Sequence, residues 1–476
     1  MKNTLLIHKA YINGEFISKK DTFDVLNPST NQKIGSVPNL AVQDCSEAIE
    51  KAQTALHLWK QTAVGHRCLL VRNLYELIKK HKDELAEIMT LESGKPLAES
   101  LGEIEYGASF VEWFAEEGKR SYGETIPSIK GGTRLMTIKQ PVGIVGAITP
   151  WNFPLAMVTR KLAPALVAGC TFVLKPASQT PFTAIALAKL AETAGIPKGV
   201  FSVITSKDSK GIGKELATNP LIQKITFTGS TSVGKTLMEQ AASTIKRVSF
   251  ELGGNAPFLI FNDADIDKAV NGAIAGKFRN SGQTCVSVNR FYVQEGIYEK
   301  FAEKLTTAVK TLKVGDGLQK DIQVGPLINA SGVDKVKQHV QDAISKGASL
   351  LAGGNILTGN FFEPTVLGNV PHDSLIATEE TFGPVCALFR FDSEEEGITL
   401  ANDTPFGLAA YFYSENIHRC HRVAEALEAG MVGINTGLIS NASAPFGGIK
   451  QSGIGREGAK YGLEEYLEIK YLCYGD

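Results

Sequence analysis

Apolar residues recur along this chain in two different rhythms. From Asp44 to Lys119 they keep helical spacing: Ala48, Ile49, Ala52, Ala55, Leu56 and Trp59 share one face, and Leu70, Leu74, Leu77 and Ile78 share the next, so a run of helices is expected. Ser93-Gly94-Lys95-Pro96 interrupts it, and a further helix is expected over about 98–117. These helices read as scaffold, and their aromatic stripe of Phe110, Trp113 and Phe114 reads as core. Ahead of them, residues 10–40 hold short apolar pieces between turn signals (Tyr11 to Phe16, then Asn27-Pro28-Ser29-Thr30), the pattern of edge strands.

From Val142 the rhythm changes. Val142 to Ile148 is a continuous apolar run, as a strand covered on both faces requires. Helical and strand patterns then alternate: helix near 155–168, strand 171–175, helix near 181–194, strand 200–204, helix near 210–218, strand 225–228, helix near 231–242, strand 247–251. Such alternation with short connections predicts a doubly wound parallel sheet. Polar residues gather where its strands end, at Thr149 to Asn152, Lys175 to Ser178, Gly229-Ser230 and Glu251, and ligands of such sheets sit there. A second α/β series begins with strand 258–261 and helix 265–278 and runs to about 435. The stretch Tyr461 to Tyr474 alternates weakly and reads as a strand; with Leu135 to Ile138 it is expected to form an oligomerisation arm.

Length and charge narrow the class. At 476 residues the chain exceeds one simple core, and a net charge of −1 without a basic run gives no field for nucleic acid or anionic lipid. No apolar window is long enough to span a membrane, and the first residues lack a signal peptide's apolar region. Seven scattered cysteines do not form a disulfide framework, so a reducing, cytoplasmic setting is expected. No metal site is expected.

One cysteine stands apart. Cys285 follows Arg279-Asn280-Ser281-Gly282-Gln283-Thr284, a polar setting in which neighbouring charge or backbone N–H groups stabilise a thiolate. A competing pattern is Gly229-Ser230-Thr231-Ser232-Val233-Gly234-Lys235-Thr236, which satisfies the phosphate-loop spacing of nucleotide hydrolases. It has only two glycines, belongs to the fourth βα unit, and leaves Cys285 and Glu251 unexplained. A helix N-terminus at this place still suits a diphosphate. No G-x-G-x-x-G follows the first strand.

Seven segments in one order carry a family resemblance: Thr149-Pro150-Trp151-Asn152-Phe153-Pro154, Lys175-Pro176-Ala177-Ser178, Phe227-Thr228-Gly229-Ser230-Thr231, Glu251-Leu252-Gly253-Gly254-Asn255, Gly282-Gln283-Thr284-Cys285, Glu380-Thr381-Phe382-Gly383-Pro384 and Pro445-Phe446-Gly447-Gly448. Through them the chain resembles the NAD(P)-dependent aldehyde dehydrogenase superfamily over essentially its whole length. It looks most like the succinate-semialdehyde dehydrogenases within it, on Met157 to Lys161, Lys277 to Asn280, Leu438 to Ser440 and Gly455 to Gly462. The resemblance implies an α/β fold: a Rossmann-type cofactor domain (1–121 and 142–253), a second α/β catalytic domain (254–444) and a small β oligomerisation arm (122–141 and 445–476), in a homodimer or homotetramer. It implies Cys285 as nucleophile, Asn152 with the Cys285 backbone N–H as oxyanion donors, and Glu251 as general base. Cofactor contacts are implied for Trp151, Lys175, Ser178, Gly229, Ser230, Leu252, Glu380 and Phe382. Ser178 stands where NAD-using members often carry a glutamate, so NADP is expected, with NAD possible. Arg160, Arg279 and Ser440 are implied to hold a substrate's far carboxylate, making succinic semialdehyde the expected substrate and glutarate semialdehyde or another aldehyde the alternative. Many relatives of this type carry a second cysteine two positions after the nucleophile; Ser287 stands there, so no disulfide within the loop is expected.

Overall fold

The computed structural model describes residues 3–475. Its first large sheet has a core of five parallel strands, in the spatial order Phe201–Val203, Thr171–Lys175, Ile144–Ile148, Ile222–Thr228, Arg247–Glu251. The first of these in the chain lies in the middle. The chain winds outward to one side, then returns and builds on the other. The reversal falls between Ile144–Ile148 and Ile222–Thr228, and a crevice opens at such a point beyond the strand ends. Antiparallel strands close both edges: Ala10–Ile12 with Glu15–Ile17 on one side, Gly453–Ile454 on the other.

Burial explains the continuous apolar runs. Every residue of Thr171–Lys175 is buried, as is all of Ile144–Ile148 except its last. The helix Ala156–Ala168 is buried at every position, including Arg160 and Lys161, so it has no polar face at all. It packs on Leu97–Glu117, the last of four helices that begin with Val42–Trp59, Val64–Lys80 and Lys82–Ser93. Phe110 and Phe114 lie in the core, as the aromatic stripe suggested.

The second sheet has seven strands, ordered Ser349–Ala352, Thr365–Gly368, Val385–Phe391, Val288–Gln294, Ala256–Ile260, Ala409–Tyr413, Met431–Ile434, parallel except for the first pair. The third sheet pairs Leu467–Gly475 with Thr133–Pro141, and Thr125–Ile126 behind them.

Two expectations about the C-terminal part fail. Residues 459–464 form a helix, not the start of the last strand. Ala459, Gly462 and Leu463 are buried, and a side chain at Gly462 would strike the Phe114 ring, so packing on the N-terminal helices overrides the weak alternation. Residues 445–466, expected in the arm, instead thread both larger folding units: Ile449–Lys450 pairs with Phe406–Gly407, and Gly453–Ile454 pairs with Arg247–Glu251. Among the described residues no helix is long and apolar enough to cross a membrane.

Candidate active site

Strand ends converge on one crevice. Ile148 is in register with Lys175, and Thr228 with Glu251, so the segments after four neighbouring strands emerge together. A cavity of about 380 Å³ occupies this place, walled by Trp151, Asn152, Thr228, Gly229, Ser230, Leu252, Gln283, Cys285, Glu380 and Phe382. Ser230 caps the helix Thr231–Ala241, its Oγ accepting from Val233 N at 3.4 Å, which turns the free N–H groups of the first turn toward the cavity side. Thr228 Oγ1 is buried without a partner in the same wall, a polar group waiting for a ligand's hydrogen bond. Trp151 and Phe382 meet edge to face at 5.6 Å across the inner end. This mixture of helix terminus, aromatic walls and orphaned hydroxyl fits a dinucleotide. Lys175 and Ser178, expected as cofactor contacts, stand just outside the wall at the end of the adjacent strand. Lys175 Nζ donates to Pro176 O at 3.2 Å and Ser178 Oγ to Gln179 Oε1 at 3.3 Å. Lys235 is exposed and takes no part in the cavity wall, so the phosphate-loop pattern lacks the lysine that would reach a terminal phosphate.

Cys285 belongs to two cavities at once. Beyond it lies a narrow pocket lined by Tyr106, Phe153, Met157, Arg160, Arg279, Thr284, Val286, Ser440 and Phe446. The three residues expected to hold a carboxylate thus meet beside the thiol. Arg279 lies over the Phe153 ring at 5.0 Å. Arg160 lies over the Phe446 ring at 4.3 Å, its Nε against Glu457, while Nη1 and Nη2 are buried and make no hydrogen bond.

The loop that presents the thiol is held in an unusual shape. Asn280, Ser281 and Gly282 follow one another at φ of 50°, 56° and 76°. At Gly282 a side chain would collide with Gly383 O at 2.2 Å, so only glycine fits this approach. Asn152 ties this loop to its own: its Nδ2 donates to Gln283 O at 3.0 Å, and Asn280 Nδ2 donates back to Asn152 O at 3.1 Å. An amide nitrogen carries two hydrogens, so Asn152 keeps one for a ligand.

Electrostatics bring one correction and one surprise. The loop was expected to favour a thiolate, yet burial pushes the Cys285 thiol up to about 12; Glu380 and Glu251 push the same way, against the pull of Arg160 and Arg279. Glu251 does not face the thiol's cavity. Its carboxyl is buried beside Gly447, with Oε2 unpartnered, and burial, reinforced by Glu457, holds its pKa well above the usual carboxylate range against Arg160, Lys161 and Arg456. Glu380 is raised to about 7 by burial, with Gly254 N at 3.4 Å from Oε1.

The helices read as scaffold reach into the site. Lys95, in the interrupting Ser93-Gly94-Lys95-Pro96, is buried, paired with Glu103, and donates to Asn152 O at 2.7 Å. Glu103 Oε1 also accepts from Leu155 N and Ala156 N, capping the helix that carries Arg160. Glu99 accepts from Asn280 N at 2.7 Å. Tyr106, one turn before Phe110, turns its buried hydroxyl toward the pocket. Sequence offered one signal for Glu99 and Glu103, acids on a helix whose neighbours are small or apolar, and none for Lys95, which lies in the interruption.

Comparison with known proteins agrees with this geometry. The model of the aldehyde dehydrogenase family matches residues 16–472. The chain belongs to the aldehyde dehydrogenase family. It is 57% identical to the succinate-semialdehyde dehydrogenase [NADP(+)] GabD of Escherichia coli, covering 99% of each chain. It is 58% identical to the glutarate-semialdehyde dehydrogenase of Pseudomonas putida, covering 98% of each. Its backbone matches the crystal structure of succinate-semialdehyde dehydrogenase from Burkholderia pseudomallei with a TM-score of 0.99 at 55% identity, covering 100% of both chains. As an aldehyde dehydrogenase the protein is an oxidoreductase.

Proposed function

We propose that this aldehyde dehydrogenase oxidises succinic semialdehyde to succinate with reduction of NADP, and accepts NAD. One observation carries the reading: Cys285 separates a dinucleotide-sized cavity from a narrow pocket in which Arg160 offers a buried, unpartnered fork. Two parallel N–H groups match a carboxylate. The relatives named for semialdehydes that end in a carboxylate support the same choice.

In this reading Cys285 Sγ adds to the aldehyde carbon, its proton passing to solvent. The new oxyanion accepts from the free hydrogen of Asn152 Nδ2 and from Cys285 N. Trp151, Gly229, Ser230, Leu252, Glu380 and Phe382 would hold a nicotinamide cofactor in the larger cavity, which would supply the hydride acceptor. Cys285 retains the acyl group as a thioester. Glu251, turned from its resting place beside Gly447 toward the thioester, takes a proton from water, and the hydroxide displaces the sulfur to give the carboxylate. Burial raises its pKa, the direction a base working near neutral pH needs. Lys175 and Ser178 would meet the adenosine ribose, where a neutral serine would leave room for a 2′-phosphate.

The sheet pattern supports a division into a cofactor domain, a catalytic domain and an arm whose C-terminal part is Leu467–Gly475 rather than 445–476, and we assign to the arm the joining of two or more copies. Glutarate semialdehyde is a second reading, favoured by the Pseudomonas putida relative; one methylene is worth only about 1–3 kcal/mol. Steady-state rates with both semialdehydes and both cofactors test this. Wild type is expected to turn over succinic semialdehyde with NADP, Cys285→Ala to lose turnover, and Ser178→Glu to shift preference toward NAD. Undiminished turnover in Cys285→Ala sinks the reading.

A further inference from the structure

Arg160 is held by two residues that sit opposite each other. Phe446 and Glu457 form a single antiparallel bridge, each N–H donating to the other's carbonyl at 2.7 Å. Side chains of such a pair project to the same side, about 5.5 Å apart. Here they close on one guanidinium: the Phe446 ring covers its face at 4.3 Å, and the Glu457 carboxylate meets its Nε edge. The other Glu457 oxygen takes Lys161 Nζ, so one carboxylate stands between two buried cations. Only the Nη1 and Nη2 edge is left; among the described residues no side chain or carbonyl satisfies it in good geometry, and the Tyr106 hydroxyl, itself unpartnered, lies beside it.

Burial gives the same direction. A guanidinium edge closed to water and without a hydrogen bond is costly until an anion meets it. We infer that Glu457 and Phe446 are specificity-determining positioning residues: their bridge orients the Arg160 fork so that the pocket selects aldehydes bearing a carboxylate at the far end. This rests on the proposed use of Arg160 as the carboxylate anchor. Without the clamp, the guanidinium swings among rotamers, and a fork displaced by about 1 Å costs on the order of 10²-fold in a positioned reaction.

The test compares succinic semialdehyde with butanal, which has the same chain length and no carboxylate. Glu457 also lies near Glu251, so activity alone does not discriminate, whereas the ratio of the two kcat/KM values cancels effects on the shared chemistry. In Glu457→Gln and in Phe446→Leu that ratio is expected to fall about 10-fold or more, with KM for NADP little changed. Succinate, used as an inhibitor against the aldehyde, is expected to lose affinity in step. Equal loss for both aldehydes, with the ratio kept, overturns the inference and leaves a structural role. A wild-type ratio near one overturns the Arg160 reading itself, and is seen before any variant is made. Where Glu457→Gln does not fold, the Phe446→Leu ratio decides.

Discussion

Glu380 illustrates how a single residue can be both legible and incomplete in a sequence. Its place in Glu380-Thr381-Phe382-Gly383-Pro384 marked it by resemblance, but not its protonation. In the structure burial raises its pKa to about 7, with Gly254 N, Lys335 and Lys277 pulling the other way. On the proposed reading it accepts from the nicotinamide ribose, which its ionised form does best. An acid with a raised pKa is protonated below that value, so KM for the cofactor is expected to fall as pH rises from 6 to 8. NAD is the right cofactor for this measurement, because the 2′-phosphate of NADP titrates near 6 itself, at about the second pKa of a phosphate ester. Glu380→Gln is expected to flatten the profile and raise KM roughly 10-fold, the loss of one charged hydrogen bond. A profile for Glu380→Gln that still bends near pH 7 assigns the titration to another group. Glu251 differs in kind: its motif was legible, whereas the charges that act on its carboxyl beside Gly447 come from Arg160, Lys161, Arg456 and Glu457, two of which lie about 200 residues away in the chain.

Elements were legible where burial is simple. The strands from Ile144 to Glu251 and the helices between them follow directly from continuous apolar runs and helical spacing, because both faces of that sheet are covered. The N-terminal helices were legible as a helical run, but neither they nor the interruption at Ser93-Gly94-Lys95-Pro96 were legible as part of the site. Periodicity records which face is buried, not what a buried charge touches. Lys95 is the clearest case. Its ammonium holds the carbonyl of Asn152, and Glu103 both neutralises it and caps Ala156–Ala168. Lys95 thereby fixes the Asn152 amide relative to the Cys285 loop. Lys95→Met is expected to lower kcat about 10²-fold, the size of a lost oxyanion donor, with KM for the semialdehyde nearly unchanged. A double-mutant cycle separates this from general damage. If Lys95 acts through Asn152, adding Lys95→Met to Asn152→Ala costs little more than Asn152→Ala alone; a full second loss places Lys95 outside the oxyanion arrangement.

At the scale of the whole molecule, the arm is the part with the weakest sequence signal and the plainest need for a partner. Leu467–Gly475 pairs with Thr133–Pro141 through nine residues, yet only its first residue is buried. With both faces largely open there is no alternation to read, which is why the expected strand ran backward over the helix Ala459–Glu464. A sheet of this size without a covered apolar face is marginal in water. Leu467–Gly475 is also the sheet's free edge, and it exposes Ile469 at 70% and Tyr471 at 57%, with Tyr474 and Ile126 nearby in the same sheet. Exposed edges of this kind invite pairing unless something covers them. The proposed second copy supplies the cover. Sedimentation at micromolar concentration is therefore expected to give a dimer or tetramer for the wild type, and Ile469→Lys with Tyr471→Glu to shift it toward monomer. None of the residues assigned to Cys285 chemistry lies on this sheet, so the dissociated variant is expected to keep its cofactor binding while its thermal midpoint falls, the arm being the first part to lose order. A wild type that sediments as a monomer removes the arm's assigned role and leaves its exposed edge without an explanation.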